Sequence, residues 1–383
     1  WPYGNVKESF EEMQKKEEKM KKETFFGVIG VWLMIAFLGL AIHPASVEGS
    51  EQIKLKFSNF FPPASEISKV CEEFIADIDK RTNGRVKITY FPGGSLLKAP
   101  ATFMGVVEGA ADIGFISISY TPGRMPVTEI LNLPLGFPNP WVAVHVANDF
   151  YKKIRPKEWD PVHVMWMHSS GVTILMTKKP VRKMEDLKGL IIRAPARIGE
   201  VIKALGGTPG QTEMAEVYDA LSKGVFQGIY SGVMGLKDWR YAEVTKYTTL
   251  CWEISGIYGL AVVMNKGTWN KLPEDIKAVF NKTSEEYEEK FAKVWNAAEL
   301  AGKEYGKSLK VEFINLPKEE ANRWKQAVRP VIDAYEKEMV KKGFKKEDVT
   351  AWINFAQERI DYWTKKQIQL GIKSATGPAE VVK

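Results

Sequence analysis

The chain has 383 residues, of which 45% are hydrophobic and 11% aromatic, and its formal net charge is +7. This length and apolar content predict a folded protein of about two domains rather than a disordered one. Basic and acidic residues alternate along the chain without a Lys/Arg stripe, so the sequence does not indicate a nucleic-acid partner. The two cysteines, Cys71 and Cys251, lie far apart and in no CxxC arrangement, which excludes a disulfide framework and a zinc ribbon.

The sequence shows no spacing that is typical of catalysis or metal binding. Nucleophile-elbow, HExxH, GxGxxG and Walker motifs are all missing from it. One cluster could be considered for an enzyme, His168 with Ser169, Ser170 or Glu213, but it has no characteristic spacing. We therefore predict a protein without catalytic residues, a metal or a cofactor.

An N-terminal segment, residues 1–49, precedes the predicted fold. From Met20, two lysines lead into an apolar run over 25–42, and small or modest residues follow up to Gly49. This order is typical of a secretory signal peptide, so Met20–Gly49 predicts export to the periplasm and a mature chain that begins near Ser50. An apolar run of this length also reaches the threshold for a membrane span, which leaves a retained anchor as the alternative.

Strands and helices alternate in the next part of the chain. Apolar patterning predicts strands over 53–57, 85–91 and 111–119, with helices over 64–84 and 97–110 between them. Such a βαβαβ unit should form a right-handed parallel sheet.

A second alternating set follows the first. It contains predicted strands over 162–167, 189–193 and 225–230, and predicted helices over 197–205 and 214–223. The two sets together indicate an α/β protein with two lobes in tandem.

Three long helical stretches complete the chain, over 273–309, 318–343 and 347–367. The first would measure about 55 Å at 1.5 Å per residue, which is longer than one lobe. We expect this helix to run across both lobes.

Polar residues stand where several predicted strands end. In open α/β sheets, ligands bind beyond the carboxyl ends of the strands, where the loops converge. Of the two serines at the end of the predicted strand over 111–119, Ser117 and Ser119, we expect Ser117 to face the cleft. The residues at the strand ends are Ser58, Asn59, Ser117, Ser119, His168, Ser169, Ser170, Arg193, Tyr230 and Ser231. Arg193 is the single strong charge among them.

Four stretches of the chain carry a recognisable set of motifs in a fixed order. Residues 91–137 contain a helix, "GAADIGFI" and "NLPLGF"; residues 184–196 read "MEDLKGLIIRAPA"; residues 205–232 and 262–280 follow. This sequence resembles the solute-binding subunit of tripartite ATP-independent periplasmic (TRAP) transporters, the DctP-type family. The resemblance covers roughly residues 52–370.

The resemblance implies an α/β periplasmic binding protein fold of two lobes, with long C-terminal helices that span both. Such a protein closes on a small organic acid and delivers it to the small and large membrane permease subunits; we expect a monomer. The implied organisation assigns 50–171 with 258–299 to lobe I, 172–257 with 300–370 to lobe II, and 371–383 to a C-terminal tail.

The resemblance also implies which residues contact the ligand. In the family, the arginine after the Leu-Lys-Gly strand binds the substrate carboxylate through a two-pronged salt bridge, which suits the planar guanidinium; here it is Arg193. The other family positions fall on Phe60, Ser117, Met214, Ser231 and Tyr258. Four neighbours complete the candidate set: Tyr230, Thr173, His168 and Trp239.

Departures from the family pattern bear on the substrate. Thr173 stands where sialic-acid binders carry a second arginine, Ala99 and Ser117 stand where they carry acids, and 226–232 reads "FQGIYSG". With one arginine and additional aromatic side chains, the pocket suits a monocarboxylate with an apolar or aromatic body. A C4-dicarboxylate in the same role and a ligand-binding sensory domain are the alternatives.

Overall fold

The computed structural model describes residues 11–20 and 52–383. Residues 11–20 form an exposed helix, α1, and residues 53–383 form a unit of their own. Apart from Met20, the predicted signal peptide Met20–Gly49 lies outside the described residues. Within the described ranges, no helix has both the length and the apolar content that crossing a bilayer requires.

Five strands form the first sheet, in the order β2-β1-β3-β10-β4. They are β1 (Ile53–Ser58), β2 (Val86–Phe91), β3 (Ile113–Ser117), β4 (Val162–Val172) and β10 (Ile257–Asn265). β1 is parallel to β2 and β3, which confirms the predicted βαβαβ unit, and β10 is antiparallel to both β3 and β4. The sequence analysis missed β10 because eight of its nine residues are buried, so its sequence does not alternate.

The strand over 162–167 belongs to the first sheet, which corrects its placement in the second set. It extends as β4 to Val172 and pairs with β10. Pairing partners depend on contacts that are distant in sequence, so the local pattern that predicted the strand could not assign its sheet.

Two of three helices in the first lobe begin at residues whose side chains cap them. The three helices are α2 (Glu66–Arg81), α3 (Ala99–Val107) and α4 (Pro140–Ile154). The hydroxyl of Ser65 accepts a hydrogen bond from the amide of Ser68 at the start of α2, and the Asn139 side chain accepts one from the amide of Val142 at the start of α4. These side chains satisfy amide groups that the first helical turn leaves without partners.

Six short strands form the second sheet, in the order β11-β9-β5-β8-β6-β7. β6 is parallel to β7 and β8, β9 is parallel to β11, and β5 is antiparallel to β8 and β9. The strands are β5 (Ile174–Thr177), β6 (Ile191–Arg193), β7 (Thr208–Gly210), β8 (Gly228–Ser231), β9 (Tyr247–Leu250) and β11 (Glu312–Asn315). At three or four residues each, most are too short for a periodic pattern to reveal them. With one sheet in each lobe, the predicted two-lobe α/β fold is confirmed.

Short helices connect the strands of the second lobe and lead back into the first. They are α5 (Ala196–Ala204), α6 (Val217–Ser222), α7 (Gly235–Asp238) and α8 (Lys266–Lys271). α5 follows β6 and packs against β7, and Arg193 is the last residue of β6, at the carboxyl end of that strand.

The predicted long helix is present as α9 (Glu274–Ser308), with 35 residues. It packs against α2, α4 and β4 of the first lobe and against α7 of the second. At 1.5 Å per residue its length is about 52 Å, so it spans both lobes as expected.

The last two helices, α10 (Lys318–Lys341) and α11 (Lys346–Leu370), pack against different lobes. α10 contacts α5 and the segment Trp252–Ile254 of the second lobe, whereas α11 contacts α4 and the segment Thr128–Asn132 of the first. These contacts favour placing 346–370 with the first lobe rather than with the second. The exact lobe boundaries stay a prediction.

Two of the places where the chain crosses between the lobes are hydrogen-bonded to each other. Thr173, in the crossover from β4 to β5, donates its amide to the carbonyl of Gly256 at 3.0 Å, and its hydroxyl accepts from the amide of Gly256 at 3.0 Å. Thr173 is fully buried there. Its side chain therefore joins the two crossovers.

Gly171 and Gly232 approach each other closely beside these crossovers. A Cβ atom on Gly171 would lie 2.6 Å from the Cα of Gly232 and 1.8 Å from Oε1 of Glu299 on α9. Only glycine fits at such a distance, since these contacts are far inside van der Waals separation.

We predict that Gly171→Ala lowers the free energy of unfolding by about 2 kcal/mol, because the added methyl must displace backbone and a buried carboxyl group. Urea unfolding would measure the change. Gly267→Ala, in the short helix α8, serves as the control because its nearest atom would be the side-chain oxygen of Asn265 at 3.2 Å. We expect the control to change the free energy of unfolding by no more than about 1 kcal/mol, the difference in helix propensity between glycine and alanine. Equal stability of the two variants would contradict the tight approach at Gly171.

Candidate functional site

A cavity lies between the two lobes, at the edge where several strands end. Its empty volume, including the mouth, is about 420 Å³. Both lobes contribute to its wall, which is the arrangement expected of a cleft between two α/β sheets. The lining residues are Phe60, Phe61, Ser117, Ser119, Tyr120, Ser170, Arg193, Met214, Ser231, Met234, Tyr258 and Leu260.

Arg193 is the charged residue of this lining. It ends β6 and is only 2% exposed. Its Nη2 donates to the carbonyl of Thr212 at 2.8 Å and, at 3.4 Å, to the hydroxyl of Tyr120. Within the described part of the chain its Nε has no hydrogen-bond partner, and no carboxylate pairs with the guanidinium. A buried cation is costly unless an anion meets it, so this arrangement favours an anionic ligand.

Serine hydroxyls supply most of the polar surface around Arg193. β3 ends at Ser117 and the chain turns over Ile118–Tyr120, so Ser117 and Ser119 both line the cavity, with their oxygen atoms 2.8 Å apart. Ser119 therefore lines the cavity together with Ser117, although only Ser117 was expected to face it. Ser170 and Ser231 complete the set.

The rest of the lining is apolar. Phe60 and Phe61 follow β1, with ring centroids 4.9 Å apart, and Phe60 also meets Tyr120 edge to face at 6.2 Å. Met214, Met234 and Leu260 add further apolar surface. Aromatic edges and faces together with methionine side chains suit an apolar or aromatic ligand body.

Tyr120 is a lining residue that the sequence analysis did not identify. Its hydroxyl accepts a hydrogen bond from the amide of Met214 at 3.0 Å and contacts Arg193 as described above. Tyr120 lies one short helical turn after Ser117. Extending the strand-end argument by one turn would have found it.

Tyr258 lies in the lining, as the family position suggested, and its hydroxyl donates to the carbonyl of Tyr230 at 2.8 Å. Burial raises the pKa of Tyr258 to about 12, although the nearby charge of Arg193 acts in the opposite direction. The phenol is therefore a neutral group at physiological pH.

Two candidate residues face away from the cavity. Tyr230 precedes Ser231 on β8, and neighbouring residues of a strand point to opposite faces; its hydroxyl donates to the carbonyl of Ile254 at 3.1 Å. Thr173 holds the crossover at Gly256 instead of lining the cavity. From residue type alone, neither Tyr230 nor Thr173 could be distinguished from a residue that lines the cavity.

The other two candidates lie behind the apolar wall. Nδ1 of the buried His168 accepts a hydrogen bond from Nε1 of Trp295 at 3.2 Å, and burial lowers the pKa of His168 well below its ordinary value. Its ring packs against Phe115 at 4.5 Å. Trp239 packs edge to face on Phe61 at 5.8 Å. Trp239 thus contacts a lining residue, His168 contacts Phe115 and Trp295 behind the lining, and neither lines the cavity itself.

Glu299 of α9 is a buried acid that contacts Met234, a residue of the cavity lining. Its Oε1 accepts a hydrogen bond from the amide of Met234 at 3.1 Å. Burial raises the pKa of Glu299 to about 8, and the backbone hydrogen bonds lower it only in part. At neutral pH this carboxyl group is mostly protonated, so it adds little negative charge beside an anion site. Among the described residues, no group of three or more His, Cys, Asp and Glu side chains could hold a metal ion.

Most of this chain matches one known protein family. Residues 57–338 match the model of "Bacterial extracellular solute-binding protein, family 7", DctP. The match includes both sheets except for the first residues of β1.

Two individual proteins are similar to this chain over most of its length. The C4-dicarboxylate-binding periplasmic protein DctP of Rhodobacter capsulatus is 27% identical over 316 residues, which covers 80% of this chain and 92% of that protein. The crystal structure of a TRAP periplasmic solute-binding protein from Desulfovibrio salexigens, in an open complex, is 32% identical, has a TM-score of 0.73, and covers 82% of this chain and 98% of that one.

A third structure shares the fold at lower identity. It is a TRAP solute-binding protein from a marine metagenome, specific for aromatic acid ligands and bound to metahydroxyphenylacetate. Its TM-score is 0.77 at 22% identity, and the match covers 82% of this chain and 99% of that one.

We predict that Glu299 makes stability depend on pH. Because its pKa is raised in the folded state, its contribution to the free energy of unfolding is fully present below about pH 4.5 and is lost as pH rises through about 8. From pH 5 to 9 the wild type should lose roughly 2 kcal/mol or more relative to Glu299→Gln, measured by urea unfolding.

Glu304→Gln is the matched control, since Glu304 lies on the same helix but is exposed and pairs with Lys307. Its hydrogen bond to Lys307 lowers the pKa of Glu304, so this variant should follow the wild type throughout the series. A Glu299→Gln variant that loses stability in parallel with the wild type would show that Glu299 is ionised in the folded protein.

Proposed function

Because the chain belongs to bacterial extracellular solute-binding protein family 7, the DctP-type solute-binding subunits of TRAP transporters, we propose that its cavity captures a monocarboxylate with an apolar or aromatic body. Members of this family are extracytoplasmic transport components rather than enzymes, and they bind small organic acids and work with membrane permease subunits. The proposal concerns the class of acid and the residues that select it.

The buried guanidinium of Arg193 carries the proposal. It lies in the cavity wall without an acidic partner in the described chain, and its Nε is left to donate to a ligand oxygen. A carboxylate would receive charge-assisted hydrogen bonds from this planar group, which fixes both position and orientation.

A single cation favours a single carboxylate. Thr173, which stands where sialic-acid binders of the family carry a second arginine, is hydrogen-bonded to Gly256 and does not line the cavity. Apart from Arg193, the lining residues are uncharged. The distal carboxylate of a diacid would lose its hydration and gain only hydroxyl partners, which costs free energy. Phe60 and Phe61 instead offer a surface that an aromatic or branched body can cover.

A C4-dicarboxylate is the second candidate ligand, and one observation favours it. The R. capsulatus relative is a C4-dicarboxylate-binding protein. Four serine hydroxyls reach the cavity here and could donate to a second carboxylate: Ser117, Ser119, Ser170 and Ser231. Direct competition between the two classes of acid decides between them.

The proposed role includes export and delivery. The predicted signal peptide Met20–Gly49 would direct the chain to the periplasm, where it acts as a monomer and passes the acid to the small and large permease subunits. Size-exclusion chromatography with light scattering tests the monomer, and N-terminal sequencing of the exported protein tests the cleavage near Ser50.

We predict that Arg193→Ala weakens binding of the acid about a hundredfold, a loss of roughly 3 kcal/mol, because the ligand carboxylate would be buried without its charged partner. Isothermal titration calorimetry measures the affinity, and melting temperature checks the fold. The control is Arg182→Ala, which removes an arginine that is 55% exposed and paired with Glu312; it should bind as the wild type does. Unchanged affinity in Arg193→Ala would refute the assignment of Arg193.

We also predict that monocarboxylates with apolar bodies bind at least tenfold more tightly than four-carbon diacids, a difference of about 1.4 kcal/mol. Competition titrations with phenylpyruvate, 2-oxoisocaproate and succinate on the same protein measure the order. Tighter binding of succinate would overturn the monocarboxylate proposal and select the dicarboxylate.

A further inference from the structure

A second polar contact joins the lobes outside the cavity lining. Arg197 on α5 donates from Nε and from Nη2 to the same carboxylate oxygen of Glu129, at 3.0 and 2.7 Å. The two side chains are only 12% and 10% exposed. We refer to Arg197 and Glu129 as the interlobe ion pair.

The two members of this pair belong to different lobes. Glu129 lies in the segment Thr128–Asn132, which packs against β10 of the first sheet. Arg197 lies on α5, which packs against β7 and α10 of the second lobe. The pair can therefore form only while these two surfaces are close together.

Residues of α10 surround the pair from the side of the second lobe. Glu338 accepts a hydrogen bond from Nη2 of Arg197 at 3.0 Å, and the Arg197 guanidinium lies 4.9 Å from the ring centroid of Tyr335. The hydroxyl of Tyr335 in turn donates to the carbonyl of Pro126 at 3.0 Å. Arg197 thus contacts one acid from each lobe.

The surroundings keep Arg197 charged. Burial opposes its charge, but the hydrogen bonds and charges of Glu129, followed by those of Glu338, outweigh burial and raise the pKa of Arg197. Because the pair is largely buried, salt screens it less than an exposed pair. Glu338 is on the same lobe as Arg197. If the lobes separate, Arg197 loses Glu129 but keeps Glu338 as its partner, so the guanidinium is not left unpaired and the contact with Glu129 can break and form again.

We propose that the interlobe ion pair holds the two lobes in the closed arrangement and slows release of the bound acid. The inference rests on the proposed function only in taking the cavity between the lobes as the ligand site. Because the pair forms only when the lobes are closed, its interaction free energy stabilises the closed arrangement relative to the open one. Neither residue lines the cavity, so removing the pair changes closure without changing the contacts of the ligand.

The test measures interlobe distances in the full chain without added ligand. Spin labels are attached through Lys98→Cys on the first lobe and Lys223→Cys on the second, both at exposed positions, while the native Cys71 and Cys251 are buried and stay unlabelled. Pulsed electron paramagnetic resonance measures the distance between the labels and gives the populations of open and closed molecules. We expect Glu129→Gln to raise the ratio of open to closed molecules about tenfold.

Glu312→Gln is the matched control. Glu312 pairs with Arg182, and both residues belong to the second lobe, so this variant removes an ion pair without touching the contact between lobes. It should keep the wild-type distances. If Glu129→Gln does not fold, Arg197→Gln removes the other member of the same pair and is compared in the same way.

Two results would overturn the proposal: a distance distribution in the variant that matches the wild type, or a wild type that is entirely open. A stopped-flow displacement experiment with phenylpyruvate adds the kinetic readout, and we expect dissociation from Glu129→Gln to be about tenfold faster. A shift in distances combined with no binding of any acid by the wild type would support the ion pair and contradict the proposed function.

Discussion

The structure of the site depends on one buried charge, the guanidinium of Arg193. The fold places it at the end of β6 and leaves its Nε without a partner in the described chain. Thr212 and Tyr120 orient the group, but neither supplies a counter-charge. Because a buried cation gains most from a charge-assisted partner, the cavity is built to receive an anion.

The titratable groups around the cavity are kept neutral by burial. Tyr258 has its pKa raised to about 12 and Glu299 has its pKa raised to about 8, while the pKa of His168 is lowered. Each of these shifts has the same first cause, the loss of hydration of the charged form. Arg193 is therefore the charged group of the lining within the described chain, and the aromatic and methionine side chains shape the remaining volume.

Contacts between the lobes fall into two groups that serve opposite purposes. At the crossovers, Thr173 and Gly256 are hydrogen-bonded, and Gly171 approaches Gly232 so closely that no side chain fits. This tight packing keeps the connection between the sheets short. The interlobe ion pair joins side chains from separate elements, which can part without breaking any strand pairing. In the closure that we propose, the crossovers stay fixed and the interlobe ion pair is the contact that breaks.

The sequence by itself determined the α/β class, the long helix α9, the family and the place of Arg193 at a strand end, because these follow from local periodicity and from motifs that are contiguous in the chain. Only the tertiary structure decided the strand pairing of β4, the presence of β10 and the side on which each candidate side chain lies. Tyr230 and Ser231 are neighbours in sequence, yet one faces the core and the other the cavity. The physical reason is that strand pairing and burial are set by residues distant in sequence, so local patterns show which side chains reach a strand end but not which space they enter.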